Sequence, residues 1–273
     1  MDRNERKTST RRVTYETGRF TRETAGSDSL LRGLSLLKAF RAGAGALTNG
    51  ELAARTGLPR PTVSRLTRVL VDTGFLRYDV DERAYRLGAA VLSLADAFQQ
   101  ANRVPEVALP LMRAVAQAGR VNVGLAVGDG PDMVYLASVR HSGDSVTRTR
   151  RVVAGTRAPI ELTAIGLAYL AALPQDVREG VLGAIAIRYG DAWGPLGANA
   201  ERAIMQARQQ GYCTAAYQPG HMLAVATTFI GADRQLYAVN ISFPDKASHD
   251  VDTSRHVASL LALVADIQAA WQA

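Results

Sequence analysis

The sequence predicts an α+β fold in two parts, a small helical module followed by a larger domain built around one largely antiparallel sheet, and three observations predict it. Residues 48–70, TNGELAARTGLPRPTVSRLTRVL, read as two short helices around a tight turn. Residues 1–90 hold 17 Lys+Arg against 10 Asp+Glu, whereas residues 91–273 hold 15 of each, so the whole excess of +7 lies with that hairpin. Beyond about residue 105, strand and helix patterns interleave without the regular alternation of a parallel βαβ sheet.

Residues 1–27 are rich in Arg, Thr and Ser and poor in large apolar side chains, a composition that does not offset the entropy of ordering. They are expected to form a disordered basic arm, with 7 bases and 4 acids. The remaining excess belongs to the folded module of residues 28–88. Charges at the N-terminus are followed by no apolar core, so no secretory signal is read there, and no apolar run approaches bilayer length. A cytoplasmic protein with no membrane partner is expected.

Residues 29–40 place Leu30, Leu34, Leu37 and Phe40 on one expected helical face. The hairpin begins at Thr48 and Glu51, a capping box in which each side chain satisfies a backbone donor of the other. Gly57 stops the first helix in the left-handed conformation that a residue without a Cβ adopts freely. Pro59 and Pro61 flank Arg60, where a second helix starts with a proline tolerated in its first turn. Val63, Leu66 and Leu70 form its buried stripe. Its other face carries Arg60, Thr62, Ser64, Arg65 and Arg68 without an acid, a set of donors suited to phosphates and base edges. Residues 75–78 and 84–87 flank a polar turn and read as the two strands of a wing. Double-stranded DNA is the expected partner. Arg60, Thr62, Ser64 and Arg65 are assigned to the major groove, and Thr48, Arg68, Arg83, Tyr85 and Arg86 to the backbone.

Residues 89–104 are expected to form a linker helix whose broad apolar face suits a second subunit. The second domain, residues 105–273, reads as a helix over 107–118, strands over 121–127, 133–139 and 145–153, and a glycine-to-proline loop over 155–159. Helices follow over 162–172, 176–187 and 198–210, strands over 212–217, 222–230 and 235–243, and a last helix over 253–271.

Catalytic chemistry is not legible. His141, His221, His249 and His256 are scattered without metal-ligand spacing, no phosphate-binding glycine loop occurs, and the single cysteine, Cys213, excludes an internal disulfide and a cysteine-cluster metal site. No catalytic residue, metal or cofactor is assigned, and the chain is not read as an enzyme.

From about Ser29 onward the chain resembles the IclR family of bacterial transcription regulators. The runs SLLRGLSLLKAF, ELAARTGLPRPTVSRLTRVLVDTGFL and YRLG resemble its N-terminal domain, and GTRAPIELTAIGLAYLAALP, ARQQGYC and YAVNISFP resemble its C-terminal domain. The resemblance implies a winged helix-turn-helix joined by a linker helix to a GAF-like effector domain, a homodimer or dimer of dimers, a palindromic operator and a small organic acid as effector. It also implies an effector pocket lined by Leu125, Tyr135, Gly155, Thr156, Thr163, Cys213, Leu223, Asn240 and Ser242, with backbone N–H groups of the Gly155 loop receiving a carboxylate. The chain departs from the family pattern after Gly211-Tyr212, where the usual acids are missing, at Leu223 in place of a frequent cysteine, and at Asn240-Ile241-Ser242 in place of Ser-x-Ser. Those departures point to a larger or aromatic acid. A second reading stays open, a regulator that binds DNA constitutively and whose C-terminal domain only dimerises or binds a protein.

Overall fold

The computed structural model describes residues 28–41, 44–141, 152–217, 222–244 and 253–272. It divides into two units, residues 1–100 and 101–273. The expected arm over residues 1–27 lies outside the described residues.

The first unit packs three helices, α1 (Asp28–Lys38), α2 (Asn49–Thr56) and α3 (Arg60–Asp72), against a small antiparallel sheet. Its strands are β1 (Leu47–Thr48), β2 (Leu76–Asp79) and β3 (Ala84–Leu87), in the order β1-β3-β2. The two wing strands fall where the sequence places them. The third strand, β1, is only two residues long, too short to leave a periodicity. Its pairing of Leu47 with Tyr85 ties the wing to the start of α2. The core of this unit joins Leu36, Ala39, Leu47, Leu52, Val63 and Leu66. The stripe expected on α1 is therefore corrected: Leu36 and Ala39 are buried, while Leu30 and Leu34 are exposed, Leu30 at 65%. Helix α4 (Ala90–Ala101) follows and has no buried residue.

The second unit is a six-stranded antiparallel sheet between two helical layers. Its strands are β4 (Asn122–Asp129), β5 (Asp132–Val139), β6 (Arg157–Pro159), β7 (Cys213–Tyr217), β8 (Met222–Ile230) and β9 (Leu236–Pro244), in the order β6-β5-β4-β9-β8-β7. Helices α5 (Val104–Gly119) and α9 (Ser254–Gln272) cover one face, where Val123, Leu125, Val225, Val239 and Ile241 meet Met112, Leu260 and Ile267. Helix α6 (Ala164–Ala172), backed by α7 (Gln175–Tyr189) and α8 (Trp193–Gln210), covers the other. The strand expected over 145–153 lies outside the described residues except for Val152 and Val153, which are not in a strand. The short edge strand is β6 instead, within the segment read as a loop.

A bulge in the β4–β5 pair decides which side chains reach the α6 face. Leu125 pairs with Ala137 but Ala126 pairs with Tyr135, so Leu136 is the extra residue. An extra residue reverses the in-out alternation. Tyr135 consequently belongs to the α6 face, and Ala137 and Val139 to the α5–α9 face.

Candidate nucleic-acid interface and ligand site

Helix α3 is organised by its two ends. Thr48 caps α2 by accepting from the Glu51 N–H at 3.2 Å, and the Glu51 carboxylate accepts from the Thr48 N–H and hydroxyl, each at 2.8 Å. Those two hydrogen bonds hold the Glu51 carboxyl below its ordinary range. Gly57, at φ +70°, closes α2 with its N–H on the Ala53 carbonyl. The reversal delivers Pro59 and Pro61 to the start of α3, which has no acid in its first turn.

At roughly 100° per residue, α3 separates cleanly into two arcs. Val63, Leu66 and Thr67 are buried, while Arg60, Ser64, Arg65 and Arg68 are exposed and Thr62 is half-buried. Arg60, Arg65 and Arg68 form no ion pair with a described residue, so their charge is directed outward. Asn49, in the first turn of α2, donates through Nδ2 to the Ser64 hydroxyl at 2.5 Å.

Three residues assigned to DNA from the sequence have other work here. The Thr48 hydroxyl is taken by the capping box. Tyr85 is half-buried, packs on the helical core and lies against Tyr78, with ring centroids 5.1 Å apart. Arg86 pairs with Asp79 at 3.3 Å and Glu82 at 2.7 Å and donates to the Gly45 carbonyl at 3.1 Å. The Glu82 N–H and Arg86 hold Asp79 below the usual carboxylate range. The acids of the wing turn therefore clasp the wing to the chain before β1. Arg83 is exposed at that turn, and exposed Arg77 on β2 is a further cation, with no ion pair to a described residue, that the sequence reading missed.

In the second unit the structure splits the nine residues named for a ligand. Tyr135, Thr163 and Cys213 lie on the α6 face, and Asn240 and Ser242 share that face by alternation with Ile241. Leu125 and Leu223 belong to the α5–α9 face, so they do not join this group. Gly155 and Thr156 clasp β5. The Gly155 N–H donates to the Tyr135 carbonyl at 2.8 Å and the Thr156 N–H to the Val153 carbonyl at 2.9 Å. The carboxylate cradle expected from these two N–H groups is thereby corrected, because both are already satisfied. Thr163 caps α6, accepting from the Gly166 N–H at 3.2 Å and donating to the Pro159 carbonyl at 2.8 Å. Burial pushes the Cys213 thiol up to about 11, the opposite of what a nucleophile needs.

What remains open on this face centres on Asn240. It is 7% exposed, and its Oδ1 has no hydrogen-bond partner among the described residues. Gly124 makes room for it: a Cβ there would stand 2.6 Å from Asn240 Oδ1 and 2.5 Å from Tyr135 Cε1. Sequence reasoning passed over Gly124, although an isolated glycine in a strand signals close approach. It also missed Glu161, which is 4% exposed, accepts from the Tyr189 hydroxyl at 2.6 Å and leaves Oε2 without a partner among the described residues. That hydrogen bond raises the Tyr189 phenol above its ordinary value. Among the described residues no group of three potential metal ligands occurs, and no helix is long and apolar enough to cross a membrane.

Two family models match the chain: "IclR helix-turn-helix domain" over residues 29–80 and "Bacterial transcriptional regulator IclR C-terminal" over residues 97–269. The HTH-type transcriptional regulator TsaQ1/TsaQ2 of Comamonas testosteroni is 35% identical over 187 residues, 67% of this chain and 66% of that protein. The transcriptional repressor IclR of Escherichia coli K12 is 26% identical over 187 residues, 67% of each chain. The chain thus spans about two thirds of the length of these curated relatives. Among solved structures, an IclR family transcriptional regulator from Brucella abortus superposes with a TM-score of 0.76 at 31% identity, covering 89% of this chain and 91% of its own. An IclR homolog from Microbacterium hydrocarbonoxydans complexed with 4-hydroxybenzoate superposes with a TM-score of 0.67 at 26% identity, covering 90% and 99%.

Proposed function

The chain belongs to the IclR family of bacterial transcriptional regulators, and from that premise we propose that it is a cytoplasmic homodimer or dimer of dimers whose grip on a palindromic operator is set by a small organic acid, an aromatic one included. Each protomer lays α3 in the major groove, with Arg60, Thr62, Ser64 and Arg65 toward base edges and Arg68 and Arg83 toward phosphates. Pairing of protomers is supported by α4, where Leu92, Leu94 and Phe98 are exposed at 73%, 59% and 52%. Apolar side chains in that number on one helix suit a subunit contact.

The observation that carries the effector reading is the buried Asn240 Oδ1, which has no partner among the described residues, beside Tyr135 and over Gly124. A buried amide oxygen left unsatisfied is costly, and a ligand hydroxyl or protonated carboxyl removes that cost. Tyr135 supplies an aromatic wall. The solved relative holding 4-hydroxybenzoate supports a ring-bearing acid. A ligand there alters DNA affinity only through its different affinity for two arrangements of the dimer, typically about 1–3 kcal/mol of coupling.

Calorimetry with 4-hydroxybenzoate, benzoate, pyruvate and glyoxylate, each repeated as a titration of operator DNA, tests this. The aromatic acids are expected to bind and to shift operator affinity about 5- to 150-fold. Unchanged operator affinity with every acid favours the constitutive alternative, in which the C-terminal domain only pairs protomers or binds a protein.

A further inference from the structure

A second opening in the C-terminal unit lies away from Asn240 and shares none of the nine residues named for the effector. It is a cavity of about 250 Å³ between the C-terminal halves of α6 and α8 and the sheet, lined by Ala168, Ala171 and Ala172, by Ala207 and Arg208, and by the hydroxyl-bearing Tyr212, Thr227 and Thr228. We infer that this cavity binds a small monocarboxylate with a short apolar body, its carboxylate on Arg208 and its apolar end against the alanines of α6.

Size sets the first limit. Pockets for drug-sized ligands run to about 300–1,000 Å³, so this volume suits a ligand of a few carbons. The alanines set the second. Four methyl groups line a cleft that is open to solvent at Ala172 and Arg208, and a leucine at any one of them would occupy it. The charge sets the third. Arg208 is the one fully charged residue lining the cavity, and it forms no ion pair or hydrogen bond with a described residue. The Thr227 hydroxyl is already committed to the Gly211 carbonyl at 2.7 Å. Thr228 and Tyr212 carry hydroxyls that make no hydrogen bond to a described residue.

A countervailing field is present, because α6 and α8 both end here and each helix C-terminus carries about half a negative charge. The guanidinium's charge about balances the sum of those two partial charges, so an anion is held here by the short, bidentate hydrogen bonds that Arg208 makes at contact rather than by the field of the site. An anion without Arg208 would face two helix C-termini unaided, so binding stands or falls with that side chain. The site is also separate along the sheet: Thr228 pairs with Ala238, whereas Asn240 pairs with Ala226.

The test uses the full chain with butyrate, its neutral isostere butyramide and its cationic counterpart butylamine as probes, followed by ligand-observed NMR and by the methyl signals of Ala171 and Ala172. Butyrate is expected to bind about ten-fold or more tighter than butyramide and to move those methyl signals. Arg208→Gln should weaken butyrate by the same factor and Ala171→Leu should abolish it, while Asn240→Ala leaves it unchanged. Arg208 is exposed, so its replacement leaves the fold intact even if Ala171→Leu does not fold. Butyrate binding lost in Asn240→Ala but kept in Arg208→Gln, tighter binding of butylamine than of butyrate, or no butyrate binding at millimolar concentration each overturns the assignment. The first of these results would leave the effector reading standing, which separates the two proposals.

Discussion

Asn49 and Ser64 are joined by a hydrogen bond of 2.5 Å that ties the first turn of α2 to the outward face of α3. Because the amide donates, the hydroxyl proton of Ser64 is free to point away from the protein. Helix α2 thus orients one donor of α3 as well as packing against it.

Replacing Arg65 by alanine should cost about 1–3 kcal/mol on the preferred operator if its partner is a guanine edge, with selectivity relaxed at that position. Replacing Arg68 should weaken all duplexes alike and reduce the slope of log affinity against log salt by about 1. Anisotropy titrations across a salt series separate the two, and equal behaviour of both variants would return Arg65 to the backbone.

The capping box gives a stability prediction. Thr48→Ala removes the acceptor for the Glu51 N–H, so unfolding free energy should fall by about 0.5–2 kcal/mol. The interaction also has a pH signature. Glu51 and Asp79 both titrate below their ordinary values, and a depressed carboxylate stabilises the fold above its unfolded pKa and loses that contribution as pH falls through the folded one. Acid unfolding of the N-terminal unit should therefore begin below about pH 4, and Thr48→Ala should shift it upward, as followed by circular dichroism.

Gly124 tests the proposed ligand site. An alanine there must displace Tyr135 and Asn240, which approach the added Cβ to 2.5 and 2.6 Å. Overpacking of this kind costs about 1–3 kcal/mol. Gly124→Ala should lower stability and abolish effector response while leaving basal operator affinity within about two-fold. Effector response retained in a folded Gly124→Ala protein would move the ligand elsewhere.

Cys213 links pH to stability in the other direction. Burial raises its thiol from 9.0 to about 11, so the folded chain holds this proton more tightly than the unfolded chain does. The contribution is complete below the unfolded value and is lost as pH rises through about 11, about 2–3 kcal/mol in all. Urea unfolding should show wild type losing stability faster than Cys213→Ala between those values, and the folded thiol should react slowly with disulfide reagents at neutral pH.

How much of this was legible depends on how local each signal is. Thr48, Glu51, Gly57 and the Val63-Leu66-Leu70 stripe act within a few residues, and the hairpin formed where they placed it. On α1 the apolar side chains nearly encircle the helix, so spacing alone did not distinguish buried Leu36 from exposed Leu30 and Leu34. The nine pocket residues were carried over by resemblance, position by position, and the bulge at Leu136 together with the register of β8 puts Leu125 and Leu223 on the opposite face from Tyr135. Arg86 and Thr48 look like free donors in one dimension. Only the fold brings Asp79 and Glu82 to Arg86 and turns the Glu51 carboxylate back on Thr48. Glu161 and Tyr189 are 28 residues apart and carry no shared motif, so their contact had no signal to find.

The central claim is that the exposed arc of α3 reads duplex DNA. The most direct test selects a preferred duplex from a random pool with the full chain and measures its affinity against random duplex at ~0.15 M salt. A preference of about a thousand-fold or more is expected, lost in an Arg60→Ala/Arg65→Ala double variant that remains folded. Equal affinity for selected and random duplex, or a double variant that selects as well as wild type, would contradict it.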